Sequence, residues 1–436
     1  AIRLKARRMH PNLSFDQAPP ITVPYRFFLV APWFGVLAGA LLAWAGDDVF
    51  ASRWTPEALA ITHLLGAGFM LQAMCGALLQ FIPVAVGGNV WRPTLVAGFV
   101  QPVLLAGALA LSGGLLFSQG VLLQIAAPLF VVGLGAYIAV VGIALWRTPA
   151  VGMTLWTMRL ALIGLAATMV LGVLLAEAVA HGLQWPVMEL ANVHLGWALG
   201  GWALMLLAGV SYHVVPMFQL TRPYPLLFTR WFGPVLAVAL LVWSARPWFG
   251  AWQAVALLML AAFSAYAGLT LWLQFTRRRR AEDANSLYFR VAMVSLLAFA
   301  ASAAAMLLSG RFGDDPRAVV WLGILAFIGV FLSAITGMAY KIVPFLNWLH
   351  LQRLGGPISA VPNVKRMIRA DLMTGQLRLH VLALALLLAA VWVPGMSRLA
   401  GVALAASCTW LGGNLIGAVL RYRSFRDQIR AAALHP

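Results

Sequence analysis

Apolar residues fall along the chain in long blocks separated by short polar stretches. A block of about 20 apolar residues is long enough to cross the hydrocarbon core of a bilayer as a helix. The pattern therefore predicts an all-α polytopic membrane protein whose short connections join antiparallel neighbours, apart from a basic loop at 346–378 that contains LGGP and VPNVK. The twelve predicted spans lie near 27–46, 58–84, 94–117, 120–146, 156–180, 190–217, 228–245, 249–275, 287–309, 318–345, 379–395 and 397–420.

One short phrase closes the second, sixth and tenth predicted spans. It reads GALLQFIP from Gly76, GVSYHVVP from Gly209 and GMAYKIVP from Gly337, at intervals of 133 and 128 residues. Equal spacing of this kind is typical of internal repeats and predicts three pseudo-repeats of four helices. The predicted units are an N-terminal tail at 1–26, one membrane domain at 27–420 with repeats near 27–146, 156–275 and 287–420, and a C-terminal tail at 421–436.

The repeated phrase predicts three equivalent helices around a pseudo-threefold axis. Its glycine permits close approach of helices in lipid, and its proline interrupts the backbone ladder near the helix end. The fifth position is polar and differs each time, as Gln80, His213 and Lys341. These three residues are expected to form an inner polar ring, either as capping and lipid contacts or as a route for protons or ions.

Composition and charge support the membrane assignment. The 436 residues are 62% hydrophobic and 10% charged, which excludes an ordinary soluble domain. With both termini in the cytoplasm, 24 of the 30 Lys and Arg residues fall on the cytoplasmic side, as the positive-inside rule requires. The others are Lys341 at a helix end and, on the outer side, Arg53, Arg246, Arg311, Arg317 and Arg398.

The net charge of +18 is thus a topology signal and not a sign of nucleic-acid binding. The basic runs RLKARR, TRRRR and VKRMIR are expected to contact lipid headgroups. The first 25 residues lack the apolar core of a cleavable signal peptide. We expect a bacterial inner-membrane protein whose partners include lipid and exclude nucleic acid. Cys75 and Cys408 fall inside spans and are expected to be buried apolar residues.

Two histidines stand at similar depth on equivalent helices. His63 in ITHLLGAG and His194 in NVHLGWALGGW both lie early in their spans, and the third repeat has WLGILAF there. Imidazole is the commonest axial ligand of haem, so His63 is the first candidate ligand and His194 the second. His181, one turn after Glu177, is a weaker metal-ligand candidate near the same surface.

Glycines follow both of the predicted ligands. They would leave room for a flat porphyrin, or they would simply allow helices to pack closely. His213 lies about 28 Å further along the helix from His194, so these two histidines cannot bind one metal. The glycines concerned are Gly66, Gly68, Gly196, Gly200 and Gly201.

The text of spans one and two carries a family resemblance. YRFFLVAPWFGVLAGALLAW and THLLGAGFMLQAMCGALLQFIPVAVG resemble the opening helices of the NnrS-like branch of the haem-copper oxidase subunit I superfamily. In that superfamily the second helix carries a low-spin haem ligand, which corresponds to His63, and the sixth carries a copper ligand, which corresponds to His194. The chain departs from the pattern because spans seven and ten contain no histidine.

The resemblance implies a b-type haem protein in electron transfer or in handling nitric oxide or another small ligand. It implies a membrane oxidoreductase or a subunit of one, served by a c-type cytochrome or another membrane subunit. Copper would have to bind without the usual three-histidine site, so a conventional terminal oxidase is not expected. Two alternatives stay open: a threefold transporter or channel for a small ligand or metal ion, with Gln80, His213 and Lys341 as its gate, and a cofactor-free anchor.

Overall fold

The computed structural model describes residues 18–246, 250, 252–277, 282–310, 315–354 and 361–434. Within these ranges there are twelve helices long and apolar enough to cross a membrane, and no strand. The predicted all-α polytopic fold is therefore confirmed. The spans are Thr22–Phe50, Pro56–Val86, Pro93–Leu116, Gly120–Arg147, Met153–His181, Val187–Gln219, Leu226–Ser244, Trp252–Phe275, Ala284–Leu308, Pro316–Gln352, Ala370–Ala390 and Ser397–Ala431.

Spans one and twelve define the two faces of the molecule. We call the face where span one begins and span twelve ends the terminal face, and the opposite face the histidine face. Parts of the predicted basic surface lie outside the described residues: the run RLKARR, most of TRRRR, Arg311 and most of LGGP.

Two predicted boundaries at the terminal face were wrong. Span ten continues past Pro344 to Gln352, because a proline removes only its own N–H donor and the helix resumes beyond it. Span eleven begins at Ala370 and not at 379, because the polar Gln376 in its first turns is buried inside the protein. A criterion based on apolar runs does not detect helical turns of this kind.

The predicted C-terminal tail is also largely helical. The last helix runs unbroken from Ser397 to Leu434. Tyr422, Phe425 and Ile429 recur at helical spacing in it and pack against Leu351 and Met367. This apolar stripe holds the end of the chain against span ten, so the helix continues beyond the 420 boundary.

The first two helices of each repeat cross closely at a glycine near the middle of the membrane. A Cβ atom added at Gly68 or Gly329 would lie 2.3 or 2.6 Å from a side chain of the first helix, and one added at Gly164 would lie 2.2 Å from the carbonyl oxygen of Gly201. The residues of the first helices that face these glycines are spaced by 130 and 131 along the chain, so the three crossings are equivalent. The facing pairs are Phe34 with Gly68, Gly164 with Gly201, and Ser295 with Gly329.

A second crossing involves the glycine of the repeated phrase. A Cβ added at Gly76, Gly209 or Gly337 would lie 2.6–3.0 Å from a Cβ on the first helix of the same repeat. The partners are again 130 and 131 residues apart. They are Phe27, Thr157 and Tyr288, in the order of the repeats. The two sets of contacts show that the phrase marks a structural repeat of helix pairs.

The second helix of each repeat also contains a π-helical segment around the first of these two crossings. The segments are Leu64–Met70, Gly196–Leu204 and Leu325–Leu332, and each includes the crossing glycine. A π segment widens the helix and changes which side chains face inward beyond it. The first and third segments pack against each other, and all three long helices contribute to the wall of one cavity.

Replacing Gly164 by Ala is expected to destabilise the crossing of spans five and six. The added Cβ would lie 2.2 Å from the carbonyl oxygen of Gly201, and backbone cannot rotate away as a side chain can. We expect a loss of about 1–3 kcal/mol, the usual cost of overpacking, in denaturant titrations of the purified protein.

Gly135→Ala is the matched control, because nothing lies within 4 Å of its added Cβ. Alanine is the better helix former, so this variant should be as stable as the wild type or slightly more so. Equal stabilities of the Gly164→Ala and Gly135→Ala variants would contradict the close crossing.

Candidate functional site

His63 and His194 occupy the same place in their helices. Each is the eighth residue of its span, counted from the histidine face. His63 immediately precedes a π segment, and His194 lies two residues before one. The eighth residue of span ten is Gly323, so the third repeat offers no side chain there. The predicted correspondence in depth between the two histidines is therefore present in the structure.

Each imidazole ring has its Nδ1 close to a backbone carbonyl, on its own helix for His63 and on span five for His194. Nδ1 of His63 lies 2.7 Å from the carbonyl oxygen of Leu59, and Nδ1 of His194 lies 3.1 Å from that of Thr168. A carbonyl oxygen only accepts hydrogen bonds, so each Nδ1 donates and each Nε2 keeps its lone pair. Metal-binding histidines usually show this arrangement, with one nitrogen held by an acceptor and the other free for the metal.

Nε2 of each ring has no hydrogen-bond partner among the described residues. Both side chains are half-buried, and the two rings are near enough to interact electrostatically. The His194 ring also rests against Gly172 of span five, where an added Cβ would lie 3.0 Å from Cε1. The pair thus presents two nitrogen donors on neighbouring helices in a largely apolar setting.

The glycines after the histidines serve helix packing. Gly68 and Gly201 belong to the close crossings described above, and a Cβ added at Gly196 would lie 3.1 Å from the Trp243 ring. A Cβ added at Gly200 would lie 3.5 Å from Leu240, and one added at Gly66 would lie 3.4 Å from Phe327. Of the two interpretations given to these glycines, the structure shows close packing; the space for a porphyrin is not found at them.

His181 lies apart from the pair. Its Nε2 is 3.2 Å from Glu177 Oε2, the one-turn contact expected from the spacing, and both side chains are substantially exposed. Among the described residues, no three or more His, Cys, Asp and Glu side chains come close enough together to hold a metal ion. The predicted metal ligands His63, His194 and His181 therefore do not form a single site.

Basic side chains surround the start of span six at the histidine face. Arg53 Nη2 donates to Asn192 Oδ1 at 2.7 Å, and Arg246 Nε donates to Glu189 Oε2 at 2.8 Å. Burial and the neighbouring Arg246 lower the pKa of Arg53, while Glu189 acts to raise it. Positive charge is thus held two residues before His194, where it would favour an anionic group.

A cavity of about 150 Å³ lies on the pseudo-threefold axis, nearer the terminal face. Spans two, six and ten contribute equivalent positions of the repeated phrase to its wall. One layer is formed by the residue after each phrase glycine, and another by the residue after each phrase proline. The layers are Ala77, Val210 and Met338, and Val84, Met217 and Phe345.

The predicted polar ring is incomplete at this cavity. Gln80 and His213 line it, but Lys341 does not. Lys341 Nζ instead lies 2.5 Å from Asp283 Oδ2, at the residue that caps the start of span nine. The third polar residue therefore holds spans nine and ten together at the terminal face.

The third repeat contains a buried polar cluster that the sequence pattern did not predict. His380 is 1% exposed, and its Nε2 lies 2.8 Å from Oγ of Ser333, the residue that follows the third π segment. Further hydrogen bonds link Tyr340 with Gln376 and Asn414. The late boundary predicted for span eleven had placed His380 at a helix end, whereas it lies in the middle of that span.

No protein-family model matches the chain, and no curated protein is significantly similar to it. The similarity of spans one and two to the NnrS-like branch therefore stays a prediction. What the structure adds is the equivalent placement of His63 and His194, together with the axial cavity beneath them.

Replacing Lys341 by Gln is expected to destabilise the protein by less than about 1 kcal/mol, since the ion pair is partly exposed. Burial acts to raise the pKa of the Asp283 carboxyl, but hydrogen bonds from Lys341 and Ser286 hold it below the usual 3.8. Because the folded-state pKa is lower than the unfolded-state pKa, the ionised carboxyl stabilises the folded protein fully above the unfolded-state pKa. This stabilisation is lost as the pH falls through the folded-state pKa.

The wild-type and Lys341→Gln proteins should therefore differ in thermal stability at pH 7, and the difference should shrink as the pH falls from 3.8 and vanish below the lowered folded-state pKa of Asp283. Lys341→Arg, which keeps the pair, should behave as the wild type at both pH values. A stability difference that persists unchanged in acid would show that the ion pair is not its source.

Proposed function

We propose that this multi-pass membrane protein binds a b-type haem through His63, with His194 as the second candidate ligand. The observation that carries the proposal is that each imidazole has Nδ1 on a backbone carbonyl and Nε2 free of protein partners among the described residues. When bound, haem iron supplies a site for one-electron transfer or for a small diatomic ligand. The function is electron transfer or the handling of nitric oxide or a similar ligand.

The number of donors favours haem over a bare metal ion. A porphyrin supplies four nitrogens itself, so its iron needs only one or two protein ligands. Copper or zinc bound by protein alone needs three or four ligands in one place. The described residues bring no three such donors together, but they do present two imidazoles.

The surroundings of the pair support the same proposal in part. Arg53, whose guanidinium bonds to the neutral Asn192 amide, offers positive charge suited to the carboxylates of a haem. The neighbouring glycines give no support, because they are occupied by helix packing. The donor set therefore carries the proposal.

The charge distribution supports a bacterial inner membrane with both termini in the cytoplasm. The histidine face would then be periplasmic, within reach of a c-type cytochrome or another membrane subunit as the redox partner.

The test is an absorption spectrum of the full-length protein purified after expression with ample haem, with metal analysis of the same sample. We expect a Soret band that is lost or strongly changed in His63→Ala, and changed in His194→Ala if that residue is the second ligand. His181→Ala is the matched control: it removes a histidine at the same face whose Nε2 already bonds Glu177, and its spectrum should be that of the wild type.

A folded wild-type protein without a Soret band would contradict the proposal, as would a band unchanged in both the His63→Ala and His194→Ala variants. A colourless protein that supports substrate-dependent flux in proteoliposomes would favour the transporter alternative.

A further inference from the structure

We propose that a groove between spans seven and eight binds one anionic phospholipid, with an acyl chain in the groove and the phosphate at Arg230. The groove has a volume of about 310 Å³ and opens on the lipid-facing surface. Six residues of span seven between Trp231 and Val242 line one wall, and Val255 and Leu258 of span eight line the other. The site is separate from the histidine pair and does not depend on haem.

The groove lies between two aromatic contacts that join spans seven and eight. Near the histidine face, the ring centroids of Trp243 and Trp252 are 6.0 Å apart. Toward the terminal face, those of Phe232 and Tyr266 are 5.8 Å apart. The two helices are therefore held together near their ends, and the lining residues on the lipid side fall between these contacts.

Spans seven and eight lack the glycine contacts that bring other helices together. In the first repeat, a Cβ added at Gly133 of span four would lie 2.9 Å from Val103 of span three. Spans seven and eight have one glycine each: Gly233 faces Leu160 of span five, and a Cβ added at Gly268 would meet nothing within 4 Å. Because helices in lipid approach closely at small residues, this pair stays further apart and leaves a groove.

The shape and lining of the groove favour a single hydrocarbon chain. Its wall is entirely apolar, and from Trp231 to Val242 it extends about 17 Å along the helix. Spread over that length, the volume leaves a channel only a few ångströms across. A helix with its side chains is about 10–12 Å wide, so a partner helix would not enter the groove.

Arg230 favours a lipid with an anionic headgroup. Its guanidinium carbon lies 5.7 Å from the ring centroid of Trp231, which lines the groove. The side chain is exposed and forms no ion pair among the described residues. It is the fifth residue of span seven counted from the terminal face, where a long basic side chain reaches the headgroup layer. A phosphate there would gain a charged partner without displacing one.

The test uses photoactivatable lipids and the full-length protein in phosphatidylcholine nanodiscs. A trace of phosphatidylglycerol or phosphatidylcholine, carrying the same diazirine-bearing acyl chain, is activated, and the labelled residues are mapped by mass spectrometry. We expect phosphatidylglycerol to label the groove of the wild type about fivefold more than phosphatidylcholine, the effect of one arginine near an anionic headgroup. Arg230→Gln should remove this preference.

Arg92→Gln is the matched control for the charge. Arg92 is also exposed at the terminal face and lies over a tryptophan ring, that of Trp91 at 5.4 Å, but neither residue lines the groove. This variant should keep the preference for phosphatidylglycerol.

Val238→Trp tests the groove itself, because a larger side chain at this exposed position would fill it. Labelling of the groove by both lipids should be lost, while labelling around Val294, a similarly exposed residue of span nine, should not change. Leu258→Trp repeats the test from the opposite wall. Circular dichroism and elution as a single species establish that each variant is folded.

Several results would overturn the proposal. They are equal labelling of the wild-type groove by the two lipids, a preference that persists in Arg230→Gln, and groove labelling that persists in both tryptophan variants. Labelling of the groove no stronger than that around Val294 would overturn it as well, because the groove would then hold no lipid of its own. None of these outcomes depends on the absorption spectrum, so the haem proposal stands or fails separately.

Discussion

Close contact between the first two helices of each repeat is the interaction on which the rest of the structure depends. In lipid, apolar side chains gain little by leaving one hydrocarbon environment for another, so helices associate through tight packing and backbone approach. Gly164 opposite Gly201 is the extreme case, where two backbones meet directly. The same crossing recurs in all three repeats. It holds three long helices side by side, and these helices carry both candidate ligand histidines and the repeated phrase.

The crossings also separate the molecule into two halves with different chemistry. Toward the histidine face, His63 and His194 stand just before their π segments with one ring nitrogen fixed by a carbonyl. Toward the terminal face, the repeated phrase encloses an apolar cavity that Gln80 and His213 line. The π segments lie between the two, where a change in helical pitch reorients the faces that the long helices turn inward.

The sequence was sufficient for the number of spans, the threefold repeat and the matched depth of the two histidines, because each follows from spacing along one helix. The sequence did not predict the environment of side chains whose partners lie on another helix. From the sequence Gln376 is expected at the surface, but in the structure its Nε2 donates a hydrogen bond to Ser407 Oγ of span twelve. Lys341 reads as a member of the polar ring until Asp283 is brought beside it. The π segments combine apolar residues with glycines, a composition that ordinary close helix crossings share, so it does not predict them.

The ion pair between Lys341 and Asp283 has a consequence for the axial cavity. Three identical walls would offer a bound molecule three equivalent poses, and it would rotate among them. With Lys341 turned away from the cavity, the walls that carry Gln80 and His213 differ from each other and from the third wall, so the three poses are no longer equivalent. A cavity formed by three repeats thereby loses its threefold equivalence, and it can favour one orientation of a bound molecule over the others.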